Sequence, residues 1–173
     1  IESTYVRPKA DQRFRTLVFA LFPYPKRLRI ALAPLVLWKL VGPLLRGTGA
    51  LALVPRRLRA MLDVAPEITL KALTARTPVV TPATGDERGT VGLLTGCVQR
   101  VAFAHVNDAT RRVLSADGYR VVAPSAQGCC GALSLHSGRL DEARAAARLV
   151  IEAFEGSGAE WVVTNAAGCG SAS

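Results

Sequence analysis

The sequence predicts an α/β fold: a three-layer, parallel-sheet unit preceded by a basic, mainly helical segment. Three observations carry that prediction. Short apolar runs bounded by glycines alternate with stretches of helical periodicity over residues 90–173. The formal charge of +9 is unevenly placed, with 14 Lys and Arg against 4 Asp and Glu in residues 1–76, and 8 against 9 in residues 77–173. Between these parts, residues 77–89 carry two prolines, two glycines and no periodicity, which places a linker and a domain boundary there.

In the basic part, Phe14, Leu17, Val18, Leu21 and Phe22 recur at helical spacing, with Asp11 suited to cap the start and Pro23 to close the end. Pro25 opens a second apolar segment, Lys26 to Leu45. Its longest uncharged run, Ile30 to Trp38, is nine residues, Lys39 follows, and Pro34 and Pro43 interrupt it. A membrane span needs about 20 apolar residues, so this segment falls short. A third helical stretch is expected over Arg56 to Leu62, with Leu58, Met61 and Leu62 opposite Arg56, Arg57 and Arg59. Phe and Trp share the apolar faces instead of interleaving with the cations, which argues against nucleic acid as a partner. Two readings stay open: contact with a membrane surface, and helices packing on protein that this chain lacks.

In the second part, Thr90 to Thr95 reads as a buried strand. A helix follows, with Val106, Ala109, Val113 and Leu114 on its apolar face, Asn107, Asp108, Arg111 and Arg112 away from it, and Gly118 at its end. Tyr119 to Ala123 is a second strand. Leu140, Ala143, Ala147, Val150, Ile151 and Phe154 mark a helix from near Asp141 to Gly156, and Glu160 to Thr164 is a third strand. Strands joined by helical crossovers of this length run parallel. Whatever leaves their carboxyl ends therefore meets along one sheet edge, where open α/β sheets bind ligands.

The residues that leave those ends are the chain's four cysteines. Thr95-Gly96-Cys97, Gln127-Gly128-Cys129-Cys130 and Ala167-Gly168-Cys169 each put a glycine directly before the sulfur. Gaps of 31 and 38 intervening residues do not suit a small secreted disulfide scaffold and point to a reducing, cytoplasmic compartment. Several thiolates select zinc or an iron-sulfur cluster over hard cations. Adjacent Cys129 and Cys130 make capture of one ion awkward, whereas both reach different irons of one cluster. Cys130 leads into a helix start, which favours a thiolate, and His136 is a further candidate at the same edge. No Ser/His/Asp set, carboxylate pair or phosphate loop is recognisable in the sequence, so no catalytic residue is assigned.

The wording Leu94-Thr95-Gly96-Cys97-Val98-Gln99-Arg100, Gln127-Gly128-Cys129-Cys130-Gly131 and Asn165-Ala166-Ala167-Gly168-Cys169-Gly170 resembles the CCG cysteine-rich module of heterodisulfide reductases and their relatives. Among its carriers, the iron-sulfur subunits of glycolate oxidases are the most similar. The basic stretch from Tyr5-Val6-Arg7-Pro8 to Leu21-Phe22-Pro23-Tyr24-Pro25 also resembles the segment after their ferredoxin domain. The resemblance implies an electron-transfer subunit, not itself catalytic, that carries 4Fe-4S clusters. It implies relay from a flavin-containing glycolate oxidase subunit towards quinone, peripherally on the inner face of the membrane. It also implies that Cys97, Cys129, Cys130 and Cys169 bind the cofactor, and that this chain is a fragment without the ferredoxin domain and second module. The family motif closes as Cys-x-x-Cys, but here the sequence is Cys169-Gly170-Ser171-Ala172, so the fifth thiolate is replaced. Alternatives are a docking scaffold with structural cysteines, or the equivalent subunit of a lactate or glycerol-3-phosphate dehydrogenase.

Overall fold

The structure, a computed structural model, describes residues 8–47, 60 and 68–172. Two helices, α1 (Lys9–Leu21) and α2 (Pro25–Gly47), precede a short helix α3 (Leu70–Thr74). The second part then runs β1 (Val80–Thr81), β2 (Gly89–Leu94), α4 (Gln99–Ala102), α5 (Ala104–Ala116) and β3 (Tyr119–Val122). It continues with α6 (Ala132–His136), α7 (Leu140–Glu155), β4 (Trp161–Thr164) and α8 (Ala167–Gly170).

The sheet order is β1-β3-β2-β4. Strand β2 lies at its centre and pairs in parallel with β3, Val91 opposite Val121, and with β4, Leu93 opposite Val163. The three expected strands therefore run the same way. Successive residues of β2 serve opposite faces, as a period of two requires. Leu93 packs with Val121, Ala123 and Leu114 of α5, whereas Leu94 packs with Val150 and Phe154 of α7. Helices thus cover both faces of the central strand, which explains its continuous apolar run. Gly92 lets α7 sit close: a Cβ there would fall 2.7 Å from the Phe154 ring.

Four local expectations are corrected. Val80 and Thr81, inside the stretch read as linker, pair antiparallel with Val122 and Val121 as an edge strand; two residues are too few to show a period. On α5 two residues trade places with the expected faces, Asn107 being 0% exposed and Val113 67% exposed, because Asn107 hydrogen-bonds the sheet edge, while Leu114 packs on the core as expected. Helix α2 runs through Pro34 and Pro43. Pro34 and Ile30 are both exposed, so the carbonyl that loses its donor lies on the solvent side. Asp11 lies in the first turn of α1, and Pro8 holds the cap position. The stretch Arg56 to Leu62 lies outside the described residues, apart from residue 60.

The helical segment packs against the sheet unit. Arg15 of α1 donates to the Ser137 carbonyl at 3.2 Å, and Arg139 stacks over Phe19, 4.0 Å from the ring centre. Leu28 of α2 is buried, and Arg29 donates to the Ala75 carbonyl at 2.9 Å. Among the described residues, no helix is long and apolar enough to cross a membrane.

Candidate functional site

Parallel topology brings the loops after β2, β3 and β4 to one edge, and all four cysteines follow. The thiol of Cys129 donates to the Cys97 sulfur at 3.4 Å. Cys130 and Cys169 pack in one cluster with Leu94 at the end of β2, and the Cys169 sulfur would lie 3.7 Å from a Cβ on Gly96, next to Cys97, so the four cysteines meet at one edge. None is in a disulfide. Cys130 is buried, and the other three are partly exposed.

The loops are positioned by buried polar side chains whose role is not legible in the sequence. Gln127 is 3% exposed; its side-chain oxygen accepts from the Thr95 amide at 2.9 Å and its nitrogen donates to the Leu93 carbonyl at 3.2 Å. The cysteine-pair loop is thereby tied to the end of β2. Asn107 donates to the Thr95 carbonyl at 2.8 Å and accepts from Asn165 at 3.0 Å. Asn165 in turn accepts from Thr110 at 2.9 Å. Arg100 donates to the Gly96 carbonyl at 2.9 Å and to the Gln127 carbonyl at 3.0 Å, bridging the Cys97 and Cys129 loops with one planar fork. Thr95 just past β2 and Asn165 just past β4 are the signal in the sequence that points to this network.

Gly131 makes the sharp exit from the cysteine pair. Its φ of 84° is left-handed, and a Cβ there would lie 2.7 Å from the Ala143 carbonyl oxygen, so glycine meets both the turn and the close approach of α7. His136 ends α6 as an exposed residue, and His105 lies in the first turn of α5.

The sulfurs differ in protonation. The Cys129 hydrogen bond lowers Cys97 to about 7, against burial that works the other way. Cys130 is held far below the usual thiol range by hydrogen bonds from Cys129, Cys169 and the Ala132 amide. Cys129 and Cys169 keep their protons, because each is hydrogen-bonded to Cys130 and burial disfavours charge. The Cys97 sulfur also supports the Arg100 charge, which burial opposes.

The donor set fits an iron-sulfur cluster: four thiol sulfurs, backbone amides directed at Cys129 and Cys130, and one adjacent cation. Such N–H···S bonds are what tune clusters held by four cysteines. Among the described residues, no three His, Cys, Asp or Glu side chains are grouped to hold a single metal ion.

Comparison with known proteins places both parts of the chain. Residues 91–172 match the CCG family, described as a cysteine-rich domain. Residues 10–65 match the linker region of glycolate oxidase iron-sulfur subunits. A probable glycolate oxidase iron-sulfur subunit of Bacillus subtilis is 34% identical over 90% of this chain and 36% of its own length. The glycolate oxidase iron-sulfur subunit of Escherichia coli is 37% identical over 45% of this chain and 20% of its own length. Lactate utilization protein A of Oceanobacillus iheyensis is 38% identical over 46% of this chain and 32% of its own length. The chain thus spans about a third or less of these relatives. No solved structure matches it at a significant level. The two family matches fall on consecutive parts of one chain and agree with the relative aligned along nine-tenths of it, so the chain carries a CCG cysteine-rich domain behind a linker of the glycolate oxidase iron-sulfur subunit type.

Proposed function

We propose that this chain is part of an iron-sulfur electron-transfer subunit of a glycolate-oxidising complex, with Cys97, Cys129, Cys130 and Cys169 holding a cluster of the 4Fe-4S type. The observation that carries this reading is the convergence of four sulfurs from three strand ends. When bound, the cluster supplies a one-electron carrier. The protein's part is to present thiolates, to fix their loops through Gln127, Asn107 and Arg100, and to keep water from Cys130. The subunit is non-catalytic: electrons enter from a flavin subunit and leave towards quinone. Exposed Phe14, Leu17, Ile30 and Leu37 beside a basic segment support a position against the inner face of the membrane. The boundary between the helical segment and the cysteine module falls within residues 77–89.

A second reading is favoured by one observation, Ala172 at the fifth thiolate position. In it the module is a docking scaffold with structural cysteines. Anaerobic reconstitution of wild type and Ala172→Cys separates the two. On the cluster reading wild type takes up iron and sulfide, Ala172→Cys takes up more, and Cys129→Ser loses both. Absence of iron and zinc from both proteins assigns the cysteines to structure.

A further inference from the structure

Beside the cysteine loops a cavity of about 630 Å3 opens between the start of α2, the segment after α3, and the ends of β2 and β3. Its charged lining is Lys26, Arg27, Arg29, Arg76 and Arg100, and no Asp or Glu is among the described residues that line it. With no acidic side chain among the described lining residues, these cations repel one another, most strongly between the half-buried Arg29 and Arg100. Helix α2 begins at this cavity with Pro25-Lys26-Arg27 and has no acidic residue in its first turn. The positive end of the helix dipole, where carboxylates are favoured, meets cations instead.

The donors are only partly used, and by neutral acceptors. Arg27 donates to the Ala20 carbonyl at 3.2 Å, Arg29 to that of Ala75 at 2.9 Å, and Arg100 to those of Gly96 and Gln127. The Nε of Arg29 is out of solvent and has no acceptor among the described residues. The charge of Arg29 also opposes that of Arg100 across this space.

We propose that this cavity binds a small oxyanion, a carboxylate or a phosphate, with Arg29 and Arg76 as its principal charged contacts. The volume lies within the roughly 300–1,000 Å3 typical of small-molecule sites. An oxyanion neutralises the cationic lining and meets the start of α2 in the sense that a helix dipole favours. Because Arg100 lines the cavity and also bridges the cysteine loops, the bound anion lies against the structure that positions the sulfurs. Binding is nevertheless independent of any cluster.

The test is calorimetric titration of the full chain with sodium phosphate, sodium citrate and polyglutamate, each at an ionic strength held constant with sodium chloride, with melting followed in parallel. Saturable binding of phosphate or citrate is expected, with a rise in Tm beyond that in chloride alone; which of the two binds tighter separates phosphate from carboxylate. Arg29→Gln should weaken binding at least tenfold. Because Arg29 also ties down Ala75, the exposed Arg76→Gln serves as the second variant and should weaken binding several-fold with folding intact. Arg148→Gln on α7, outside the cavity, should bind like wild type, and the titrations use metal-free protein, which keeps this result separate from that of the cluster. Equal effects of chloride and the oxyanions, wild-type binding by both arginine variants, or binding of polyglutamate alone would each overturn the proposal.

Discussion

The thiol of Cys129 lies 3.4 Å from the Cys97 sulfur and donates to it, joining the loops that follow two neighbouring strands. That contact is the largest cause of the lowered Cys97 value of about 7. In metal-free protein, alkylation of Cys97 followed by mass spectrometry should therefore rise with pH through a midpoint near 7. In Cys129→Ala the donor is gone and burial still opposes charge, so the midpoint should move upward. An unchanged midpoint would show that Cys129 does not hold the thiolate.

Gln127 satisfies two backbone groups at once, the Thr95 amide and the Leu93 carbonyl. Replacing it by Leu keeps bulk but leaves both groups buried and unpaired. At about 1–3 kcal/mol for each unsatisfied group, Gln127→Leu should lower stability by roughly 2–4 kcal/mol. Urea unfolding with an unchanged m-value and a loss under about 0.5 kcal/mol, the size of an ordinary surface substitution, would remove Gln127 from this role.

Arg100 reaches the Gly96 and Gln127 carbonyls with different nitrogens of one guanidinium. Lysine keeps the charge without the fork. Arg100→Lys should therefore destabilise almost as much as Arg100→Gln, by about 1–3 kcal/mol. Full rescue by lysine would mean that charge alone matters here.

Gly131 combines a left-handed backbone with a closest approach of 2.7 Å from its missing Cβ to Ala143. Backbone strain of this kind costs about 1–3 kcal/mol, and the steric overlap is with backbone that cannot swing aside. Gly131→Ala should cost at least about 2 kcal/mol in thermal or urea unfolding. A neutral result would mean that α7 stands further away.

The strands are legible in the sequence because each is a short run with valine or leucine near its end, closed by Thr95-Gly96, Ala123-Pro124 or Asn165, and because helices between them dictate parallel pairing. That topology alone carries Cys97, Cys129, Cys130 and Cys169 to one edge. Asn107 escapes such a reading because hydrophobic periodicity places polar residues outward, whereas this amide is buried to bind Thr95 and Asn165. Arg100 looks like an ordinary helix cation, since its acceptors are carbonyls from two loops and no sequence pattern marks them. Strand β1 stays hidden because an edge strand paired through only Val80 and Thr81 has no period to detect.

The central claim is that the four sulfurs share one iron-sulfur cluster, and iron together with acid-labile sulfide per chain tests it most directly. After anaerobic reconstitution, wild type should hold up to about four irons and a similar amount of sulfide, as a cluster on four cysteines requires. Cys97→Ser and Cys129→Ser should each lose most of both. Wild type and Ala172→Cys that hold neither iron nor sulfide, while folding normally, would contradict the claim.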